Sequence, residues 1–353
     1  MLKFEPITLE KQELYHKYFS ITPTQSADYT FINLFGLKDI YMLEWAFTKE
    51  LVWIRQCSPY TLYWAPVGDW FNHDFGKEKD LYDMIGEKES IIRIPKELAT
   101  YWENKINIKI KENRDEWEYL YDYNELMNLS GRKFHNKKNL YNQFIKNNFE
   151  YKPIDRSMVK EIFEFENKWE EDEMKKSFLE IQSNEYNKSE DYEAFDGYKL
   201  LMHEIRAEAD IIMIKTLFDY WNEINNIVGG AIYIDGKVVA YSIGDLSLRD
   251  TLVVHSERGD RDYKGSYQAI NKLFLENNKE ERFKFVNREQ DVGDIGLRKA
   301  KLSYNPIGYI EKYKNLIVTR TLSKAWGLAA LRIGFLIANK HLINKLRINK
   351  TPY

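Results

Sequence analysis

The chain has 353 residues, of which 44% are hydrophobic and 15% aromatic, and its 52 basic and 55 acidic side chains give a net charge of −3. This length exceeds the usual size of one domain, and the apolar content excludes a largely disordered protein. The nearly balanced charge excludes a general attraction to nucleic acid or to an anionic bilayer, so any polyanion contact must be local.

The cysteine content and the lack of long apolar stretches predict the compartment. The single cysteine, Cys57, cannot form an intramolecular disulfide or a thiolate metal site, and we expect no bound metal. The first residues, MLKFEPITLEKQ, lack the apolar centre of a signal peptide. No later stretch reaches the roughly 18 uncharged apolar residues that a membrane span needs. A soluble, cytoplasmic protein is expected.

Strands and helices alternate in the first part of the chain. MLEWAF and LVWIRQ flank a polar turn at residues 48–50, and with TLYWAP they predict an antiparallel meander. Residues 78–85 have a helical pattern, IIRI is typical of a buried strand, and PKELATYWENK predicts a helix that begins just after its proline. These elements predict an α/β unit that ends near residue 150.

A second series of elements follows. Asp155 precedes an amphipathic helix, and the charged residues 170–191 predict a solvated loop or frayed helix ends. GGAIYI and KVVAYSIG flank Asp235-Gly236, a strong hairpin signal. The strand TLVVHS, the helix SYQAINKLFLENN and the strand FKFV come next. A second α/β unit over residues 151–314 is predicted.

The turn between TLVVHS and the following helix could bind phosphate. It contains Gly259, Arg261, Lys264 and Gly265. Glycines allow close approach of the backbone to a ligand, and the N–H groups at a helix start attract anions. An ordinary surface turn has the same composition, so both interpretations stand.

A mixed polar cluster follows FKFV. Asn287, Arg288, Glu289 and Asp291 combine amide, guanidinium and carboxylate groups that can bind a zwitterionic or phosphorylated ligand. Asp294 is better explained as the N-cap of the next helix.

The stretch GRKFHNKKNLYNQFIKNN mixes cations with aromatic residues. Such a mixture can bind RNA through phosphate contacts and base stacking. The helical spacing of Phe134, Lys137, Lys138 and Tyr141 equally predicts a buried face with a basic, solvated edge. We prefer the second interpretation and keep a non-catalytic RNA-binding module as an alternative.

Several ordered motifs resemble a known family. LVVHSERGDRDYKGSYQAIN and FVNREQDVGDIGLRKAKLSYNP, preceded by DYTFINLFGLKDIYMLEWAF and LMNLSGRKFHNKKNLYNQF, resemble an uncharacterised bacterial family related to the C-terminal domain of phosphatidylglycerol lysyltransferase. The resemblance covers residues 1–314. It implies two acetyltransferase-type (GNAT) domains in tandem, at 1–150 and 151–314. It also implies transfer of an acyl or aminoacyl group from acyl-CoA or aminoacyl-tRNA to an amine.

The resemblance also has limits. Where the family tends to have H-x-E-K-A, this chain has His255, Glu257, Arg258 and Gly259, which keeps the charge but puts lysine-specific chemistry in doubt. The membrane-spanning half of the lysyltransferase is not part of this sequence, so a small-molecule amine is a better expectation than a lipid.

Acyl transfer to an amine requires an acid–base group and donors for the carbonyl oxyanion. Glu257 and Glu289 are the candidate bases, with Asn287 orienting the acceptor. The candidates for binding the carrier phosphate are Arg261, Lys264, Gly265 and Arg288. His255 is assigned a structural role, because an isolated histidine in a strand is more often structural than catalytic.

The last residues, NLIVTRTLSKAWGLAALRIGFLIANKHLINKLRINKTPY, resemble the lysine-bearing segment of histidinol-phosphate-type aminotransferases. The resemblance implies a Schiff base between Lys324 and pyridoxal phosphate, with Ser323 and Arg332 at the phosphate. About 39 residues match, and the cofactor-binding half of such an enzyme is missing from residues 1–314. We therefore expect residues 315–353 to be an inactive fragment joined by gene fusion or truncation.

Overall fold

The computed structural model describes residues 2–59, 61–77, 81, 90–106, 108–184, 209–315, 318–321 and 334–337. Within these ranges the chain forms a five-stranded and a seven-stranded sheet, with helices packed against them, and two smaller sheets. None of the helices in these ranges is long and apolar enough to span a bilayer.

The strands before residue 150 are β1 (Glu5–Pro6), β2 (Leu43–Phe47), β3 (Leu51–Gln56), β4 (Leu62–Gly68), β5 (Ser90–Ile92), β6 (Ile94–Pro95), β7 (Ile110–Glu112) and β8 (Glu118–Asp122). The later strands are β9 (Glu150–Pro153), β10 (Ile227–Ile234), β11 (Lys237–Asp245), β12 (Thr251–Gly259), β13 (Phe285–Gln290), β14 (Gly308–Ile310), β15 (Lys312–Asn315), β16 (Val318–Thr321) and β17 (Gly334–Ile337). The α-helices in the described ranges are α1 (Gln12–Ile21), α2 (Phe31–Leu37), α3 (Lys96–Lys105), α4 (Tyr123–Asn128), α5 (His135–Phe144), α6 (Val159–Asn184), α7 (residues 209–219), α8 (Ser266–Asn277) and α9 (Ile295–Leu302).

The five-stranded sheet has the order β1-β2-β3-β4-β5, and it contains the predicted meander. Strands β2, β3 and β4 are antiparallel, whereas β5 pairs with β4 in parallel. Trp45, Trp53 and Trp64 are fully buried in its core. Each large apolar side chain contributes about 1.5–3 kcal/mol on burial, so these aromatic residues hold the first unit together.

The seven-stranded sheet has the order β14-β8-β13-β12-β11-β10-β9. The predicted hairpin joins β10 to β11, and both Asp235 and Gly236 have positive φ, as a tight two-residue turn requires. Strands β12 and β13 are parallel, because α8 crosses between them. The other neighbours in this sheet are antiparallel.

The two large units exchange strands. Strand β8 precedes residue 150 but lies inside the seven-stranded sheet, between β14 and β13. Strand β15 lies at the end of the predicted second unit but pairs with β6 and β7, which belong to the first half of the chain. Sheets and sequence halves therefore do not coincide, and the boundaries at 150 and 314 stay predictions.

Two local predictions were wrong. Helix α6 continues to Asn184, although residues 170–191 were expected to be a loop or frayed helix ends. Glu and Lys are good helix formers, so a charge-rich composition alone does not end a helix. Strand β13 continues to Gln290, so Asn287, Arg288 and Glu289 lie within the strand and not after it.

The C-terminal region is described only in part. Strands β16 and β17 pair antiparallel, with Val318 opposite Ile337. Ser323, Lys324 and Arg332 lie outside the described residues, as does the predicted helix at 78–85 except for Leu81.

Candidate functional site

The parallel strands β12 and β13 separate after a short paired stretch. Their Cα partners run from Thr251 opposite Phe285 to Val253 opposite Asn287, and the pairing between these two strands stops there. We call the region beyond it the strand split, which comprises residues 254–259 of β12 and 288–290 of β13. Because no backbone ladder fills the strand split, side chains from the two strands meet across it.

The first contact across the strand split joins an imidazole to a carboxylate. His255 Nδ1 lies 2.7 Å from Glu289 Oε1, and the His255 side chain is fully buried while that of Glu289 is 20% exposed. On the other side of the ring, Asp245 Oδ2 lies 3.7 Å from Nε2, which is an ion-pair contact longer than a hydrogen bond. Burial by itself lowers the pKa of His255, but the two carboxylates outweigh it and raise the pKa to about 9.

The second contact across the strand split is an ion pair. Arg288 Nη2 donates to Glu257 Oε1 at 2.6 Å, and the guanidinium stacks 4.7 Å from the centre of the Tyr304 ring. The Glu257 side chain is only 6% exposed, and burial raises its pKa even though Arg288 opposes the shift. Glu257 Oε2 and Arg288 Nη1 are buried and make no hydrogen bond within the described part of the chain.

Asn287 supports Glu289 from within the protein. Its Oδ1 accepts a hydrogen bond from the Glu289 N–H at 2.9 Å, and its Nδ2 donates to Glu118 Oε2 at 2.5 Å. Glu289 has φ of +53°, a left-handed conformation that is uncommon outside glycine. Asn287 is fully buried, so it is placed to fix the backbone at Glu289 and not to touch a ligand in the strand split.

Glu118 continues this contact into a buried charged network. Lys312 Nζ lies 2.7 Å from Glu118 Oε1 and 2.6 Å from Asp28 Oδ2, and it also hydrogen-bonds Ser26. Ser26 in turn donates to Glu118 at 2.6 Å. Burial would lower the pKa of Lys312, but Asp28 and Glu118 outweigh it and raise it. The network ties β15 and the segment before α2 to the strand that neighbours β13.

The two predicted glycines of the turn at 259–265 are required by its geometry. A Cβ at Gly259 would lie 2.7 Å from Ser266 Oγ. Gly265 has φ of +94°, and a Cβ there would lie 2.1 Å from the backbone oxygen of Leu140 on α5. The turn is therefore packed directly against α5.

The cations of the same turn face solvent. Arg261 and Lys264 are exposed. Helix α8 begins at Ser266, and its N-cap residue, Gly265, has no side chain that could cap the helix. Two cations at a helix start provide a setting in which an anion is favourable. Arg288, predicted for the same role, instead lies on β13 and pairs with Glu257.

Arg258, which stands in place of the family's lysine, faces the opposite side of the sheet from Glu257 because neighbouring strand residues alternate. Its guanidinium lies 4.4 Å from the centre of the Trp169 ring and 2.5 Å from Asp210 Oδ2. The substitution therefore replaces an ammonium with a planar cation that stacks on an aromatic ring.

Helix α5 has an apolar face and a basic edge. Phe134, just before the helix, and Phe144 are buried, Lys138 is exposed, and Lys137 Nζ lies 4.1 Å from the centre of the Tyr304 ring. This is the arrangement that the sequence favoured over a dedicated RNA-binding surface.

A family model now accounts for this architecture. The model of the phosphatidylglycerol lysyltransferase C-terminal domain matches residues 19–314. The chain belongs to this family. Membership confirms the resemblance expected from the ordered motifs and places the chain in a transferase family, and the two large sheets with their helices confirm the predicted α/β class.

Two solved structures show how far the fold of this lysyltransferase-domain family extends. A conserved protein of unknown function from Bacteroides thetaiotaomicron VPI-5482 aligns with 89% of this chain and 99% of its own, at a TM-score of 0.71 and 24% identity. L-PGS from Bacillus licheniformis aligns with 94% of this chain and 98% of its own, at a TM-score of 0.58 and 13% identity. Both similarities are evidence for the fold alone.

The C-terminal segment matches a different family. The model of class I and II aminotransferases matches residues 293–353. Histidinol-phosphate aminotransferase 2 from Hydrogenovibrio crunogenus is 53% identical over 49 residues, which are 14% of this chain and 13% of that protein. The chain thus spans about an eighth of the length of the curated relatives it matches.

Asp245 was not singled out from the sequence, and His255 was expected to be structural; the structure places the His255 ring between Asp245 and Glu289. The spacing of His255 and Glu257 would put both on one face of a regular strand, but a β-bulge at His255 interrupts that alternation. Asp245 is the last residue of the neighbouring strand β11, where polar side chains often border a cleft.

Proposed function

We propose that this member of the lysyltransferase-domain family transfers an acyl or aminoacyl group from a carrier to an amine, with the strand split as the reaction site. The observation that carries the proposal is the Glu289 carboxylate, which is partly exposed and is anchored across the split by His255. A partly exposed carboxylate of fixed orientation is suited to accept a proton from an incoming ammonium group.

The proposed reaction forms a C–N bond and breaks the bond from the acyl carbon to the carrier. Glu289 takes a proton from the ammonium, and the free amine attacks the carbonyl carbon. The bond that breaks is C–O if the donor is an aminoacyl-tRNA ester, or C–S if it is an acyl-CoA thioester, and the departing oxygen or sulfur takes up a proton. Backbone N–H groups along the strand split are candidates to stabilise the oxyanion.

Glu257 is the second candidate base. Its side chain is 6% exposed and paired with Arg288. We therefore assign Glu257 mainly to neutralising the charge of Arg288, and we rank it after Glu289 as the base. Asn287, predicted to orient the acceptor, is buried, and we assign it instead to fixing the Glu289 backbone.

The turn at 259–265 is the proposed binding site for the carrier phosphate. Arg261 and Lys264 supply the charge, and Gly265 permits close packing, whereas Arg288 is left to its ion pair with Glu257.

The basic edge of α5 favours a nucleic-acid carrier, and hence aminoacyl-tRNA, over coenzyme A. Residues 126–149 contain no acidic side chain. Their cations are Arg132, Lys133, Lys137, Lys138 and Lys146. Because Gly265 packs against Leu140 of α5, this basic segment adjoins the proposed phosphate site. A carrier with many phosphates would use both surfaces, whereas coenzyme A would need only the turn.

The proposal is tested by following the labelled amide product with wild-type protein and with Glu289→Gln, Glu257→Gln and the double variant. We expect Glu289→Gln to slow transfer by about 100-fold or more, as loss of a general base does. Glu276→Gln is the matched control, since Glu276 is an exposed glutamate on α8 that pairs with Lys272. An unchanged rate in the double variant would eliminate the proposal.

The donor is identified by calorimetry with acyl-CoA and aminoacyl-tRNA at two salt concentrations. Binding of tRNA should weaken steeply with salt and in the Lys138→Ala and Lys264→Ala variants. Tight RNA binding without any transfer would instead indicate a non-catalytic RNA-binding module.

Our proposal gives the aminotransferase-like segment no catalytic role. Its match covers 13% of the aminotransferase, and Ser323, Lys324 and Arg332 lie outside the described residues.

A further inference from the structure

We infer that His255, backed by Asp245, is a positioning residue that orients the Glu289 carboxylate toward the incoming amine. The inference rests on the proposed function of Glu289 as the base. It adds a buried carboxylate–imidazole–carboxylate chain that supports this base from behind.

The backbone of β12 is shaped to place the imidazole in this position. Ile243 of β11 is opposite Ser256, whereas the next residue, Gly244, is opposite Val254, so His255 is the extra residue of a β-bulge. Bulges redirect a side chain and are frequent beside functional sites. The redirected side chain of His255 lies between Asp245, the last residue of β11, and Glu289 on β13.

One oxygen of Glu289 is anchored and the other is left for a ligand. Oε1 lies 2.7 Å from His255 Nδ1. Oε2 makes no hydrogen bond to any residue that the structure describes. When one oxygen of a carboxylate is held by a hydrogen bond, the other oxygen keeps a fixed direction, which is the geometry that a general base requires.

Asp245 is the counterpart on the other ring nitrogen. Its Oδ1 accepts the Ser247 N–H at 2.7 Å, while Oδ2 and His255 Nε2 face each other at 3.7 Å, both buried and without a hydrogen-bond partner in the described ranges. A ring buried between two carboxylates is most stable when it carries a positive charge. The two carboxylates raise the pKa of His255 to about 9 in spite of its burial, so it is charged at neutral pH.

Other charged groups approach this chain from neighbouring helices. His16 of α1 interacts electrostatically with Asp245. Lys301 of α9 interacts electrostatically with Glu289, and its Nζ donates a hydrogen bond to the backbone oxygen of Gln290 at 2.7 Å. Within the described part of the chain neither residue hydrogen-bonds the Glu289 side chain, so neither duplicates its contact with His255.

The contact is tested first without any transfer assay. The full chain is labelled on histidine, and the imidazole signals are titrated by NMR in wild type, Glu289→Gln and Asp245→Asn; the signal lost in His255→Gln identifies His255. We expect the His255 midpoint above pH 8 in wild type and lower by about one unit or more in each carboxylate variant, as loss of a close opposite charge predicts. The signal of the exposed His135 is the internal reference in every spectrum. A His255 midpoint that the Glu289→Gln change leaves in place overturns the inference.

The consequence for the base is then tested through the separate effects on donor affinity and turnover. His255→Gln should leave donor affinity unchanged and lower the turnover rate, because Glu289 Oε1 loses its anchor and the carboxylate is no longer held in one orientation. Asp245→Asn should lower the turnover rate by less, and it serves as the second variant should His255→Gln fail to fold. Loss of donor affinity in parallel with turnover in both variants would mean a merely structural histidine, and unchanged turnover in both would overturn the positioning role.

The proposed transfer function and the positioning role of His255 can be contradicted separately. Wild-type protein without transfer activity removes the proposed function while the NMR coupling still stands. Normal dependence of transfer on Glu289 with no His255 coupling removes only the positioning role.

Discussion

Replacing Lys312 with methionine should destabilise the fold strongly, because buried Glu118 loses its ion-pair partner, whereas buried Asp28 keeps its pair with Arg93. Asp28 and Glu118 lie 2.6 Å and 2.7 Å from it, and all three side chains are buried. Removing one partner of a buried ion pair typically costs about 3–5 kcal/mol, since the remaining charge has no partner. A folded domain has about 5–15 kcal/mol of stability in total, so the loss is a large fraction.

The assay is equilibrium urea unfolding of wild type, Lys312→Met and the control Lys96→Met. The control removes the ion pair of Lys96 with Glu311, the neighbour of Lys312, at 2.7 Å. That lysine is 55% exposed, and exposed pairs contribute about 0–1 kcal/mol. Adding Glu118→Gln to Lys312→Met should restore part of the loss by removing one unpaired charge. An equally small loss of unfolding free energy in Lys312→Met and Lys96→Met would contradict this prediction.

Three further predictions concern the turn, a buried acid and the C-terminal segment. Gly265→Ala should lower the melting temperature more than Gly236→Ala, because both glycines have positive φ but only the first would place a Cβ against the Leu140 oxygen; equal shifts in thermal melts would contradict this. Burial raises the pKa of Glu166 from 4.5 to about 7, so the folded state binds a proton more tightly than the unfolded chain does. The stabilisation from this bound proton is complete below pH 4.5 and is lost as the pH rises through 7. Glu166→Gln should therefore gain up to roughly 3 kcal/mol relative to wild type between pH 5 and pH 8 in urea unfolding, and a constant difference would argue against a buried, protonated acid. Pyridoxal phosphate should give no new visible absorption band, whereas stoichiometric borohydride trapping on Lys324 would show that the segment forms a working site.

Local signals predicted the elements whose geometry is set by nearby residues. Asp235-Gly236 formed the expected hairpin turn, and Asp294 caps α9 by accepting the Leu297 N–H at 2.6 Å. Gly259 and Gly265 were singled out as positions for close backbone approach, and both are sterically required. In each case the physical cause lies within a turn or at a helix end.

Long-range pairing could not be predicted in the same way. Nothing in the sequence of β8 or β15 indicates that each joins strands distant in the chain, because a short strand can pair with several edges. The same holds for His255, whose partners Asp245 and Glu289 come from two other strands. These contacts became visible only when the sheet order brought β11, β12 and β13 side by side.

Hydrogen–deuterium exchange with and without donor shows whether the strand split and the adjoining turn receive the carrier donor. Non-hydrolysable aminoacyl-tRNA and acyl-CoA analogues are added in turn to the full chain. We predict slower exchange at residues 255–265 and 287–290 with at least one of them, and no such effect with deacylated, phosphate-free adenosine. Unchanged exchange in both segments, or protection confined to other parts of the chain, would contradict the claim.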